Sequence, residues 1–255
     1  MVMKPLRRSK TVFVSQLRRV GTERYHHNHP FHLAMNAGEL SPTAIRAWVA
    51  NRFYYQKNIP LKDAAIISNC PIREVRRLWL HRVIDHDGVR AREGGIEAWL
   101  RLASACGMTR IAIMDERHVL PGVRFAVDAY VNFARFQPWP VAVASSLTEL
   151  FAPDLMAQRL RAFEKHYCWV RPEGFDYFRR RVSQARTDSE EALKLTTLYC
   201  NTEVLKDQAV SALSFKCDVL WSMLDAIQAA CGTASIKTSN PKHLSFLPRI
   251  KRRDN

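Results

Sequence analysis

Four stretches of the chain carry a cationic side chain where their apolar periodicity asks for a hydrophobic one. At 3.6 residues per turn, the segment after Pro42 has the stripe Ile45, Trp48 and Val49, and the same spacing continues to Arg52 and Gln56. The segment after Ile72 has Val75, Leu78 and Trp79, continued by Arg82 and His86. Lys216 lies between Leu213 and Leu220 in a stripe that runs from Ala209 to Leu224, and Arg181 flanks Phe178 and Val182 in the same way. Burying an unpaired charge is expensive, so one such residue is ordinarily a side chain reaching back to solvent or half of an internal ion pair. Four together need matching anions, and the sequence offers Asp85, Glu149 and Asp218 nearby at best. The alternative is a cavity inside a helical bundle that takes an anionic ligand, a compact polycarboxylate or a phosphate, with a histidine inside it.

Other chemistries find little support. The run His26, His27, His29 and His32 is dense enough to suggest a metal site. Helical di-iron proteins, however, draw their ligands from carboxylates and paired Glu-x-x-His motifs on facing helices. No such pair of motifs is present, and no histidine lies between His166 and His243, so no functional metal is expected. There is no Gly-x-Ser-x-Gly elbow and no GxGxxG loop. Six cysteines are scattered without a CxxC pair and read as reduced core thiols. What remains is acid–base chemistry by His86, with tyrosines and a lysine, around an anionic substrate.

The elements that must position these residues are helices. Pro and Gly punctuate the chain, with helical periodicity between them and little strict alternation. The fold class expected is all-α, a compact single-domain bundle. Ser41 and Pro42 open a helix over 42–57, and Pro60 starts another short one. Further helices are predicted over 72–87, 96–106, 109–117, 122–137, 140–151, 153–166, 172–185, 188–202 and 203–231. Residues 1–20 read as a basic, poorly ordered segment, 21–232 as the helical domain, and 233–255 as a second basic, poorly ordered tail. Of 255 residues, 47% are hydrophobic and 25% charged, as in an ordinary globular protein. No run is long enough to span a bilayer and no secretory signal is seen, so the expected compartment is the cytoplasm. The net charge of +15 invites a nucleic-acid reading. Much of the excess is terminal, and no zinc finger or RNP motif accompanies it, so solvated tails are the better reading. An acidic protein partner is the occupant such tails would suit.

Several blocks of sequence resemble one known family. Asn51-Arg-Phe-Tyr-Tyr-Gln56, Ile59-Pro-Leu-Lys-Asp-Ala-Ala65, Asp85-His-Asp-Gly88, Gly94-Gly-Ile-Glu-Ala-Trp99, Arg124-Phe-Ala-Val-Asp-Ala-Tyr130, Ser145-Ser-Leu-Thr-Glu-Leu-Phe-Ala-Pro153 and Phe215-Lys216 are similar to the pyrroloquinoline-quinone synthase (PqqC) family, over about 25–231. The resemblance implies the helical fold shared by haem oxygenase and TenA-type proteins, without haem, and a homodimer. It implies ring closure and multi-electron oxidation of a fused quinone precursor by molecular oxygen, releasing hydrogen peroxide, with no metal or organic cofactor. By the same resemblance Arg52, Gln56, Lys62, Arg82, Arg159 and Arg181 hold the polycarboxylate precursor, with Tyr25, His26, Tyr130 and Glu149 around it. His86 is the main base, and Tyr177, Arg181 and Lys216 flank the oxygen or peroxide site. Such arginines suit bidentate recognition of carboxylates.

Two positions depart from the family pattern. Well-known members carry a histidine three residues before the position of Arg159, serving the oxygen end of the pocket; here it is Met156. Val89-Arg90-Ala91-Arg92 follows Asp-His-Asp-Gly where another polar pair with a histidine is usual. Three rivals are discriminated by simple features. A thiaminase-like enzyme of the same fold would want a nucleophilic cysteine and acidic contacts. A metal-dependent oxygenase would want paired His and carboxylate ligands. A nucleic-acid-binding helical module would place its cations on an exposed face, with affinity falling steeply in salt.

Overall fold

Capping residues set several helix starts. The computed structural model describes residues 8–232, with all side chains among them except those of residues 183 and 186. Ser9 caps α1 (Lys10–Arg24) by accepting from the Val12 amide, and His29 caps α2 (Pro30–Ala37) through Nδ1. Ser41 caps α3 (Pro42–Asn69), where Pro42 at the first position has no amide to leave unpaired. Then follow α4 (Arg73–Asp87), α5 (Gly94–Ala105), α6 (Arg110–Met114), α7 (Pro121–Phe136), α8 (Trp139–Ser145), α9 (Ala152–His166), α10 (Asp176–Tyr199) and α11 (Glu203–Cys231), the last capped by Thr202. Tighter 3₁₀ turns cover His26–Asn28, Ser146–Phe151 and Pro172–Phe175. Among the described residues there is no strand, and no helix is long and apolar enough to cross a membrane.

The long helix α3 is the spine: it packs against α4, α5, α7, α8 and α11. The start of a second helix expected at Pro60 is corrected here, because α3 runs straight through it. Pro60 deprives the Gln56 carbonyl of its helical donor. Yet Gln56, Asn58, Ile59, Pro60, Lys62 and Asp63 are all buried, so packing on both sides holds the turn together. A second correction concerns α10, expected as two helices with a break near Asp188. Its Thr-Asp-Ser run is one that normally competes with helix backbone. Here Asp188 spends its carboxylate on Arg181 instead, at 3.1 Å. A third concerns 140–151, which is α8 followed by a 3₁₀ turn, so that Ser146, Thr148 and Glu149 turn inward.

The N-terminal segment expected to be poorly ordered over 1–20 is helical from Lys10. Phe13 and Leu17 are buried against the core, and α1 packs on α11. Arg8 accounts for much of the clasp: its Nε meets Glu203 at 2.6 Å and its Nη2 meets Asp207 at 2.7 Å, while Lys206 donates to the Arg8 carbonyl at 2.7 Å. The basic composition concealed a helix because its acidic partners lie near the other end of the chain. Residues 1–7 and the expected tail over 233–255 lie outside the described residues.

Candidate active site

The uninterrupted run of α3 fixes one wall of an interior cavity, placing Arg52, Tyr55, Ile59 and Lys62 along it at near-helical spacing. The other walls are His86 from α4, Tyr130 from α7, Glu149 from the 3₁₀ turn, and Tyr177 and Arg181 from α10, with Tyr25 and His26 closing the end below α1. The cavity is tight, about 50 Å³. Residues expected from sequence thus converge from six separate segments. Gln56, Arg82 and Arg159, expected to hold the substrate, and Lys216, expected beside the oxygen or peroxide site, do not line it. Each is buried one layer back; Gln56, Arg82 and Lys216 grip a lining residue, while Arg159 holds His32, which itself lies behind His26. Gln56 donates to the Tyr177 hydroxyl, and Arg82 donates to Glu149. Arg159 donates to His32 Nε2 at 2.8 Å. Lys216 donates to the Tyr55 hydroxyl at 2.9 Å.

The cations divide into two groups. On one side every cation meets carboxylates. Arg82 reaches Glu149, Arg181 lies 3.1 Å from Asp188 and 3.6 Å from Glu149, and Lys62 lies 2.6 Å from Asp63. On the other side Arg52, Arg159 and Lys216 have no carboxylate partner among the described residues. They rest on aromatic faces instead. The Arg52 guanidinium sits 4.2 Å from the Tyr55 ring centroid and that of Arg159 sits 4.9 Å from the Trp48 ring. Lys216 Nζ lies between two nearly parallel rings, 3.6 Å from Tyr130 and 4.1 Å from Tyr55. Cation–π contacts offset only part of what a buried charge costs, so this half of the site is short of negative charge.

Electrostatics follow from that division. Burial, then the neighbouring Arg181, Lys62 and Arg82, push the His86 imidazole well below the usual histidine range, so it is neutral near pH 7. Burial likewise pushes His26 and His32 down. His32 Nδ1 faces the His26 carbonyl at 3.0 Å, which leaves Nε2 free to accept from Arg159. Burial, then Arg52, lower the Arg159 guanidinium to about 9. Burial together with Arg52 and Lys62 pushes Lys216 well below the lysine range, opposed by the two ring faces that favour its cation. Burial would raise Glu149, but Arg82, Arg181 and Lys62 together hold it below the usual carboxylate range.

Sequence reasoning missed the two anions that balance the first group, Asp63 and Asp188, and named Asp85 and Asp218 instead. Asp218 pairs with Arg24 at 2.7 Å on the surface. Asp63 accepts from Lys62 and, at 2.8 Å, from Trp79 Nε1. A signal existed for Asp188: it follows Arg181 by seven residues, two turns along the same face. Tyr55, Ser146 and Thr148 were also unforeseen as lining residues.

Two other places gather ligand atoms or open space. His81, Asp85 and Asp188 offer ligand atoms within 4.8 Å of one another, a possible metal group. Two guanidiniums, Arg82 and Arg181, compete for Asp188 there. The chain's single Glu-x-x-His, Glu23 and His26, is split between solvent and core: Glu23 is exposed and pairs with Arg19, while His26 is buried. A larger cavity of about 380 Å³ lies beside the end of α11, lined mainly by small and apolar side chains of α3 and α11. Its Arg46 is spent on the Cys106 carbonyl at 2.8 Å, and it holds none of the residues expected to do chemistry.

Comparison with known proteins bears on this geometry. The family described as TENA/THI-4/PQQC matches residues 14–226. A pyrroloquinoline-quinone synthase of Cronobacter sakazakii is 56% identical over 206 residues, 81% of this chain and 82% of that protein. One from Pseudomonas aeruginosa is equally similar over the same shares. One from Klebsiella pneumoniae subsp. pneumoniae is 52% identical over 87% of this chain and 88% of its own length. Among solved structures, a TenA homolog from Pseudomonas syringae pv. tomato superposes with a TM-score of 0.68 at 14% identity, covering 85% of this chain and 91% of its own. A domain with a haem oxygenase-like fold from Shewanella denitrificans superposes with a TM-score of 0.74 at 12% identity, covering 91% and 97%. These two speak for the fold alone.

Proposed function

The chain belongs to the TENA/THI-4/PQQC family, and on that premise we propose that it is a pyrroloquinoline-quinone synthase, closing the ring of a fused quinone precursor and oxidising it with molecular oxygen. The observation that carries the reading is the charge imbalance of the cavity. Arg52 lines it without an anion, backed by Lys216 and Arg159, while the opposite cations are already neutralised by Glu149, Asp63 and Asp188. A ligand bearing several carboxylates supplies what the unbalanced half lacks.

Within that reading Arg52 binds a substrate carboxylate, and Lys62, next to Ser146 at 3.0 Å, orients the ring system from the same wall. His86, held neutral, removes a ring proton so that the electron-rich substrate anion reacts with oxygen directly. Tyr177 and Arg181 face the reduced oxygen species, and Lys216 donates to the Tyr55 hydroxyl from behind the two rings. Gln56, Arg82 and Arg159 act through the residues they grip. Oxygen is the co-substrate and hydrogen peroxide the second product, with no metal or organic cofactor, and the enzyme works as a cytoplasmic homodimer. Pockets for ligands of drug size usually enclose about 300–1,000 Å³, so precursor entry must part the helices around the cavity.

The test is anaerobic mixing of metal-stripped protein with the precursor, followed by oxygen, with quinone absorbance and peroxide recorded. Tight binding and metal-independent formation of both products support the reading; absence of binding overturns it. Binding without turnover points to Met156, which lines the cavity where the family pattern has a histidine, and Met156→His should then restore oxidation.

A further inference from the structure

The block Gly94-Gly95 is not used by the chemistry above, yet its two glycines are there for different reasons. Gly94 has φ +83°, and a Cβ on it would come 2.5 Å from the His86 carbonyl oxygen, so backbone conformation and backbone contact both demand glycine. Gly95 is the second residue of α5 and has no such φ. By helix propensity alone, alanine would serve better there. What a Cβ at 95 would meet is the His86 ring: Nδ1 at 2.9 Å and Cε1 at 3.6 Å, with the Asp85 carbonyl oxygen at an ordinary 3.6 Å. His86 is only 5% exposed, and its Nδ1 is wholly buried with no hydrogen-bond partner. No hydrogen bond fixes that edge of the ring, and Gly95 lies against it.

We propose that Gly95 is a positioning residue for His86: the missing side chain lets the imidazole lie with its Nδ1 edge against the start of α5 and its Nε2 edge toward the cavity. A methyl group at 95 cannot be absorbed by the ordinary contact with Asp85, so the ring has to move. A small displacement is open to it, because the ring lines the cavity of about 50 Å³. The role given to His86 rests on the synthase reading, but its place against Gly95 does not.

Gly95→Ala is the test, read in three ways. Oxidation of bound precursor should fall about tenfold or more, since small displacements of a proton-transfer group are costly, while anaerobic precursor binding stays within about threefold. In protein labelled with ¹⁵N-histidine, the ring nitrogens of His86 should shift while those of His29 and His118 stay in place, with no substrate needed. Any loss of thermal stability should be regained in Gly95→Ala combined with His86→Ala, where the emptied site accepts the methyl group, and in that background Gly95→Ala should slow oxidation no further. A His86 spectrum and oxidation rate like those of the wild type would overturn the proposal. So would equal destabilisation with and without the imidazole, which would place the clash on the backbone. If the wild type itself oxidises no precursor, the synthase reading fails, and the spectra and melting curves still decide the role of Gly95.

Discussion

Arg82 gives its guanidinium to Glu149 and to the Asp188 carbonyl at 3.2 Å, while Arg52, two helical turns above Ile59, has only the face of Tyr55. Their removal should therefore leave opposite signatures. Arg52→Ala should weaken precursor binding by about ten- to a hundredfold, as losing one charge-assisted contact does, and barely change the melting temperature. Arg82→Ala should destabilise the fold by about 3 kcal/mol, because Glu149 and Asp188 are left to share the single guanidinium of Arg181; calorimetry beside binding titration separates the two. His86→Gln should keep precursor affinity and lose about a hundredfold or more in oxidation, as measured by stopped-flow absorbance. Arg52, His86 and Lys216 could be read from the sequence because a charge on an apolar stripe breaks a pattern. Asp63 could not, since one residue on from Lys62 it looks like the polar flank of a surface turn. The second-layer position of Gln56, Arg82 and Arg159 was also invisible, because a helical wheel gives the direction of a side chain and not the depth at which its neighbours stop it.

Two helices depend on contacts that local sequence does not announce. α3 crosses Pro60 because Gln56, Asn58, Ile59, Lys62 and Asp63 around it are buried, and that continuity keeps Arg52 and Lys62 in register on one wall. α10 crosses Asp188 because Arg181 and Arg82 occupy its carboxylate and carbonyl. Asp188→Ala should accordingly raise amide hydrogen exchange along α10 around 185–195 while leaving α3 protected; a uniform rise along both helices would mean global destabilisation instead. Thr202 accepts from the Leu205 amide at 3.2 Å to start α11, and Thr202→Ala should cost about 1 kcal/mol, seen as a drop of about 2–4 °C in Tm. Caps, glycine stops and amphipathic stripes made most helices legible. α1 and α2 escaped because a basic stretch and a run of histidines mask their buried residues Phe13, Leu17, Phe31 and Met35.

At the scale of the whole molecule, the four buried histidines set the acid limit, and burial lowers His29 as it does the other three. Burial holds His26, His32 and His86 well below the usual range, whereas unfolded imidazoles titrate near 6.5. Below that pH the unfolded chain takes up protons that the native one refuses. The stability is thus whole above about pH 6.5 and is lost progressively as pH falls, at up to about 1.4 kcal/mol per pH unit for each ring. Melting temperatures measured from pH 7.5 to 5 should fall steeply through the lower half of that range, and a flat profile would speak against neutral buried rings. The clasp of Arg8 on Glu203 joins positions 195 apart in the chain. During synthesis at roughly 5–20 residues per second, the apolar side of α1 therefore waits about 10–40 seconds for α11 to emerge from the ribosome. For that interval Phe13 and Leu17 are open to any chaperone that binds short apolar segments, and a pause in translation before α11 would lengthen the exposure without altering a single contact of the finished protein.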